Sequence, residues 1–404
     1  MQEAYIYETL RTVRGKGNKK GALLPVTPIQ LVVQLLSELK TRRHTLDTTQ
    51  VEDLILGCVT QVMDQGMNVA KSAAQVSEYG EQLCGIAINR FCGSGLEAVN
   101  QAAAAIRAGF GRLIIAGGVE SMSRVPMASD GGAMLADPTV ALPGYAVPQG
   151  ISADLIATKY GFTRNDLDEF AYFSHLKAAT AEREQRFKSR LPVKDLNGIV
   201  LLDRDENIRP DISRDALAQL TPSFEMMGEM GGFDAVAIDR YPEIEYLSHA
   251  HHAGNSSAIV DGAAIALIGN KAVGQQLGMT PKAKIVAAAI CGTDPTMMLL
   301  GPAPAARKAL QQAGMDVGDI DLFEVNEAFA VVPLRFMQEL RIPTDKVNVN
   351  GGAIAMGHPL GATGCMLLGT VLDELERQNK TTGLITLCIG GGMGIATIIE
   401  RVNS

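Results

Sequence analysis

Four short segments of the chain hold residue types suited to covalent acyl chemistry. In Asn89-Arg90-Phe91-Cys92-Gly93-Ser94-Gly95 a cysteine stands between a strand-like run and an apolar helix pattern, with glycines that let backbone approach a ligand closely. Cys92 would cap or open that helix, where unpaired amides and the positive dipole end favour a thiolate, the nucleophilic form. A cysteine among apolar neighbours is commonly a small core residue, so a base is the next thing to look for. His358 sits in Asn350-Gly351-Gly352-Ala353-Ile354-Ala355-Met356-Gly357-His358-Pro359-Leu360-Gly361, a glycine-rich turn before a Pro-initiated helix, and that setting points to a catalytic imidazole. Cys388 begins Cys-Ile-Gly-Gly-Gly after a buried strand, at the strand end where open α/β sheets place their sites. Asn326, in Asn-Glu-Ala-Phe-Ala after another strand, can donate to an oxyanion or hold a water, or simply turn the chain. Two thiols and one imidazole suit acyl transfer followed by proton transfer.

Other motifs carry less chemistry. His249, His251 and His252 have no carboxylate or cysteine near them in sequence, so they make a poor metal site and are expected as exposed side chains on an extended loop. Gly390-Gly391-Gly392-Met393-Gly394 does not fit the G-x-G-x-x-G that opens a helix in dinucleotide folds, and it runs into an apolar strand.

The elements that must position these residues recur in two halves. In the first, Pro28 to Leu39 reads as an amphipathic helix, Val51 to Val59 as a buried strand, Gly93 to Arg107 as a helix and Leu113 to Gly118 as a strand ending in glycines. In the second, Pro304 to Ala313 is helical, Ile320 to Val325 a strand, Leu360 to Arg377 a helix and Leu384 to Leu387 a strand. Gly57 to Cys92 spans 35 positions and Asn326 to His358 spans 32, so corresponding turns fall at similar spacing, as a duplication would leave them. Between the halves, a stretch richer in Pro and charge, with a helical core from Asn165 to Arg186, reads as an inserted lobe. The division is then 1–120 with 249–273, the lobe 121–248, and 274–404.

Composition excludes several classes. With 47% hydrophobic and 20% charged residues in 404, the chain has ample material for a core and is not disordered. A net charge of −8 argues against a general nucleic-acid surface, and the one dense basic stretch, Arg11 to Lys20, is expected as a solvated loop. Six cysteines without a C-x-x-C pair suggest neither a disulfide framework nor a zinc ribbon and fit a reducing cytoplasm. No stretch approaches the roughly 20 apolar residues needed to span a bilayer, so membrane insertion is not expected.

Together the four segments resemble the thiolase family over nearly the whole chain: C-G-S-G at Cys92, N-E-A-F at Asn326, G-H-P-L-G at His358 and C-I-G-G-G at Cys388, in that family's order and spacing. The resemblance implies a five-layered αβαβα fold of two similar halves with a loop lobe inserted in the first. It implies coenzyme A and acyl-CoA as substrates with no permanently bound cofactor or metal, and a homodimer or homotetramer that can join a β-oxidation multienzyme partner. By similarity, Cys92 carries the acyl group after His358 removes its proton, and Cys388 passes a proton to or from the α-carbon of acetyl-CoA. One oxyanion site joins His358 to a water on Asn326, and the other uses the backbone amides of Cys92 and Gly390. Ser257 matches a pantetheine-tunnel serine, and Phe329 is carried over as substrate-binding.

The chain also departs from the family pattern. A His-Met-Gly segment common over the acyl group in acetoacetyl-specific members is replaced here by Val147-Pro148-Gln149-Gly150, which makes room for longer or branched chains. Thr221, in Leu220-Thr221-Pro222-Ser223-Phe224, stands where an arginine usually meets coenzyme A phosphates. The stretch from Glu225 to His252 is long enough for a lid or a subunit contact. The degradative reading, cleavage of 3-oxoacyl-CoA, is therefore preferred over acetoacetyl-CoA synthesis. A ketosynthase would use a second histidine where Cys388 stands, and a non-catalytic acyl-CoA carrier would have lost one of the four positions.

Overall fold

A computed structural model describes residues 2–402. The main sheet uses β1 (Tyr5–Thr12), β2 (Asp53–Gly57), β3 (Ile86–Ile88), β4 (Leu113–Ser121), β5 (Val260–Gly269), β6 (Ala283–Gly292), β7 (Leu322–Val325), β8 (Thr382–Ile389) and β9 (Met393–Arg401). The principal helices are α1 (Pro28–Arg42), α2 (Val69–Val76), α3 (Ser94–Ala108), α4 (Gln149–Tyr160), α5 (Arg164–Arg183), α6 (Pro302–Ala313), α7 (Val331–Leu340) and α8 (Thr363–Gln378). Helix α1 shows why such segments form: Thr27 caps the amide of Gln30, Pro28 fits the first turn, and Leu31, Leu35 and Leu39 recur on one buried face.

Strands follow the order β7-β8-β9-β6-β1-β5-β4-β2-β3. Each half repeats one plan: β1-β5-β4-β2 in the first and β6-β9-β8-β7 in the second, both antiparallel, antiparallel, then parallel. The half-sheets pair where Tyr5 lies opposite Lys284 and Ile6 opposite Ala283. Strand β5 lies between β1 and β4, so the segment after the lobe returns to complete the first half-sheet.

Three large apolar clusters define the layers. Leu96, Val99 and Ile106 of α3 pack with Met366, Leu368 and Leu372 of α8 and with strand residues of both half-sheets, so these two helices form the central layer. All of Thr363 to Leu375 is buried, as expected of a helix covered on every side. A second cluster places α1 and α2 on the outer face of the first half, and a third joins α6, α7 and the lobe helix α4 on the outer face of the second. The result is the αβαβα order. No helix among the described residues is long and apolar enough to cross a membrane.

The basic stretch after β1 differs from expectation. Arg11 and Arg14 are buried, because Arg11 makes a two-pronged pair with Asp205 at 2.9 and 2.8 Å and the Arg14 N–H donates to the same carboxylate. Burial alone would raise the Asp205 carboxyl, but Arg11 and Arg14 beside it hold it at about 2. Only the residues from Lys16 onward face solvent.

The two halves touch through backbone. A Cβ built on Gly118 at the end of β4 would lie 1.8 Å from the carbonyl oxygen of Gly361, in the turn that carries His358. Gly118→Ala is therefore expected to lower unfolding stability by about 3 kcal/mol, read as a fall in the urea midpoint. An unchanged midpoint would show that the turn can move aside freely.

Candidate active site

The duplicated plan brings the chemistry together. Helices α3 and α8 occupy equivalent places in the two halves, and Cys92 and His358 lie just before their first turns. Asn326 and Cys388 belong to the ends of the neighbouring parallel strands β7 and β8, and the Asn326 N–H donates to Thr386 of β8 at 3.0 Å.

Cys92 projects from a tight turn. Phe91 adopts φ 42°, a left-handed conformation costly for a bulky residue, and the turn is pinned on both sides. The Phe91 N–H donates to Asn89 Oδ1 at 2.8 Å, the Ser94 hydroxyl donates to the Phe91 carbonyl at 2.6 Å, and the Gly93 N–H reaches the Arg90 carbonyl at 3.0 Å. Burial pushes the Cys92 thiol up, while the Gly390 N–H, the Gln149 amide and its own N–H favour the thiolate without prevailing. Desolvation outweighs these donors, and Cys92 rests as a thiol. Cys388 is buried as well; desolvation and the nearby Cys92 sulfur raise its thiol.

His358 is held in one tautomer. Its Nδ1 lies 2.6 Å from the Thr363 hydroxyl, which itself donates to the Pro359 carbonyl at 3.0 Å. The hydroxyl must then accept from Nδ1–H, which leaves Nε2 as the acceptor. Asn326 Nδ2 stands 3.3 Å from Nε2, in the orientation that tautomer calls for. Burial, with a smaller contribution from Arg14, lowers His358 to about 3, so the imidazole is neutral. Leu360, two residues on, packs in one apolar cluster with Cys92, Val59 and Met122.

Supporting groups fix the loops. Glu120, buried near the end of β4, accepts from the N–H groups of Val59 at 3.0 Å, Thr60 at 3.2 Å and Gly361 at 2.9 Å, tying the Cys92 side of the site to the His358 turn. Asn348 accepts from Val325 N–H at 2.8 Å and donates to Glu327 at 2.9 Å, which sets the Asn326 loop. Thr363 and Glu120 were not singled out in the sequence. Thr363 carried one signal, a hydroxyl on the first turn of the helix that follows His358.

The remaining expected positions fall nearby. The Ser257 N–H donates to Ala328 at 2.9 Å, and Ser256 bridges Phe329, so the 255–258 segment lies along the Asn326 loop. Phe329 is buried, with its ring edge-on to Phe224 at 5.9 Å and His251 at 5.6 Å. Gly390 and Phe91 help line a cavity of about 290 Å³ beside Cys92, closed by Val147, Gln149, Met134 and Met298. A larger cavity, about 550 Å³, lies between α5 and α7 behind Glu327; neither lining includes Cys92, His358 or Cys388, and only the smaller one includes their neighbours Phe91 and Gly390.

The histidine cluster reverses its expectation. His251 and His252 are fully buried, and carboxylates distant in sequence meet the group. Asp154 of α4 accepts from His249 and His251 at 2.9 and 2.7 Å, Asp168 of α5 pairs with His252 at 2.7 Å, and Asp234 reaches His249 at 2.9 Å. Hydrogen bonding to Asp154 raises His249 to about 9. The residues after Glu225 form two short helices, Glu225–Glu229 and Phe233–Arg240, and the second supplies Asp234. The cluster is a strut between the lobe and the Asn326 loop.

Thr363→Val would free the imidazole to adopt either tautomer and lower kcat by about tenfold, the value of one buried hydrogen bond, with KM little changed. Unchanged steady-state rates would mean that packing alone orients the ring.

Comparison with known proteins agrees with this arrangement. The family models "Thiolase, N-terminal domain" and "Thiolase, C-terminal domain" match residues 4–239 and 279–401. The 3-ketoacyl-CoA thiolase of Aeromonas hydrophila subsp. hydrophila is 38% identical over 409 residues, covering 100% of both chains. That of Colwellia psychrerythraea is 37% identical over 412 residues with the same coverage. Among solved structures, the Bacillus anthracis acetyl-CoA acetyltransferase superposes with a TM-score of 0.85 at 32% identity, covering 100% of this chain and 99% of that one. With both domain models matched and relatives similar along the full length, the chain belongs to the thiolase family.

Proposed function

We propose that this protein cleaves 3-oxoacyl-CoA with free coenzyme A, giving acetyl-CoA and an acyl-CoA shortened by two carbons, and that the reaction is reversible. Two pairs support the reading: Asn326 lies within hydrogen-bond reach of a neutral His358, and Cys92 is close enough to Cys388 to raise its thiol. His358 Nε2 takes the Cys92 proton, and the thiolate attacks the C3 carbonyl. The C2–C3 bond breaks, the acyl group stays on Cys92 as a thioester, and the departing acetyl-CoA enolate takes the Cys388 proton. The thiol of a second coenzyme A then attacks the thioester, its proton restoring Cys388, and the released Cys92 thiolate recovers its proton from His358. The N–H groups of Cys92 and Gly390 meet the oxyanion at C3, and His358 with a water held on Asn326 meets the enolate oxygen.

Ser257 and Phe329 are assigned to the substrate channel in this reading, and the chain is divided into 1–120 with 249–273, the lobe 121–248, and 274–404. A cytoplasmic homodimer or homotetramer, able to join a β-oxidation multienzyme partner, completes it.

The cavity beside Cys92 supports substrates longer than acetoacetyl-CoA. A cavity of about 150 Å³ accepts benzene, so about 290 Å³ holds an acyl group of several carbons or a ring. The test is the loss of 3-oxoacyl-CoA enolate absorbance on adding coenzyme A. Each added methylene is expected to raise kcat/KM roughly fourfold, from about 0.8 kcal/mol per buried methylene, until the cavity is full. Activity on acetoacetyl-CoA alone would make the protein an acetyl-CoA acetyltransferase, and no activity on any substrate would favour a carrier or a ketosynthase.

A further inference from the structure

The cavity lined by Phe91, the residue before Cys92, and by Gly390 carries one polar side chain in its wall. Gln149 is the first residue of α4, and around it the wall is made by Phe91, Val147, Pro148, Met298 and the backbone of Gly390. Its place is set from two sides. Pro148 leads into the helix, and at the next position a Cβ on Gly150 would lie 2.2 Å from the Phe224 ring, so only glycine lets the helix start this close. Phe224 in turn packs edge-on to Phe329 of the Asn326 loop, which ties the Gln149 end of α4 to the rest of the site. A Cβ on Gly390 would sit 3.4 Å from Gln149 Nε2, so the amide nitrogen rests against the glycine two residues after Cys388.

We propose that Gln149 is a third hydrogen-bond donor to the reacting centre, beside the N–H groups of Cys92 and Gly390. Its neutral amide can offer only N–H to an anionic sulfur, and then to the oxyanion on the carbon that the sulfur attacks. A donor here counts because Cys92 is buried and burial opposes its ionisation, so each N–H aimed at the sulfur offsets part of the desolvation. The role rests on acyl transfer at Cys92, but thiolate formation can be read without any acyl substrate.

The test compares Gln149→Met, close in length and without a donor, with the wild-type protein. The rate of Cys92 alkylation by iodoacetamide is followed by peptide mass spectrometry from pH 6 to 10, with the urea midpoint confirming that the variant folds. The titration midpoint is expected to move up and the rate at pH 8 to fall about tenfold, with a similar fall in kcat for thiolysis and an unchanged order of chain-length preference. Gln149→Glu, which turns a carboxylate toward the sulfur, is expected to move the midpoint at least as far. An alkylation profile that stays in place in both variants overturns the proposal and leaves Gln149 as cavity wall, even if chain-length preference shifts. If the wild-type protein cleaves no 3-oxoacyl-CoA, the proposed function fails while the alkylation series still decides whether Gln149 is a donor.

Discussion

Replacing Cys92 with alanine is expected to lower thiolysis by about 10⁴-fold or more, the scale seen when a covalent nucleophile is removed. The size of the loss follows from what the sulfur does. Exchange between one thioester and another is nearly isoenergetic, so a cysteine stores the acyl group evenly, and no neighbouring group can take its place: Cys388 is buried at the end of β8 with its thiol raised by desolvation and by Cys92 itself. Cys92→Ser isolates the same point. Serine keeps the turn around Phe91 but would form an oxygen ester that coenzyme A does not resolve evenly, so slow or single-turnover acylation is expected in place of cycling. Steady-state thiolysis with correctly folded protein is the measurement, and full activity in Cys92→Ala would remove the nucleophile from the account.

His358→Ala should cost about 10³-fold in kcat, within the range for a positioned general base. The pH behaviour of the unsubstituted protein tests the same group with a definite sign. Burial first, and then Arg14, lowers His358 to about 3, so the imidazole is neutral and able to accept a proton at every pH above that value. The profile of kcat/KM is therefore expected to show no acid limb from this histidine near pH 6.5, and activity should persist as pH falls toward 5. The raised Cys92 thiol does not reverse this, because a thiol that starts protonated hands its proton to the base at each turnover. An acid limb near 6.5 that disappears in His358→Ala would mean that the imidazole is hydrated and charged in the working enzyme.

Particular residues show how far sequence reasoning carries. Cys92, His358 and Cys388 stood out as candidates because glycines lie beside each one: backbone must approach backbone there, as Gly118 and Gly361 do at the seam between the halves. The duplication could be found because strand and helix periodicity are local signals, and β1-β5-β4-β2 matches β6-β9-β8-β7 strand for strand. Pairings made by residues far apart could not. His249, His251 and His252 looked unpartnered because Asp154 and Asp168 lie more than eighty positions away, and Arg11 looked solvated because Asp205 is 194 positions distant. Thr363 is close in sequence to His358, yet only the ring's orientation shows that its hydroxyl selects the tautomer. At Cys92 the amides that favour the thiolate do not prevail against burial, which raises the thiol.

The central claim is that the acyl group passes through Cys92, and trapping it there is the most direct measurement. The protein is mixed with a 3-oxoacyl-CoA without free coenzyme A, quenched in acid, and its intact mass and peptides are read by mass spectrometry. The account predicts a mass gain equal to the shortened acyl group, located on the peptide containing Cys92 and lost on adding coenzyme A. Continued turnover with no adduct, or with the adduct on another residue, would contradict it.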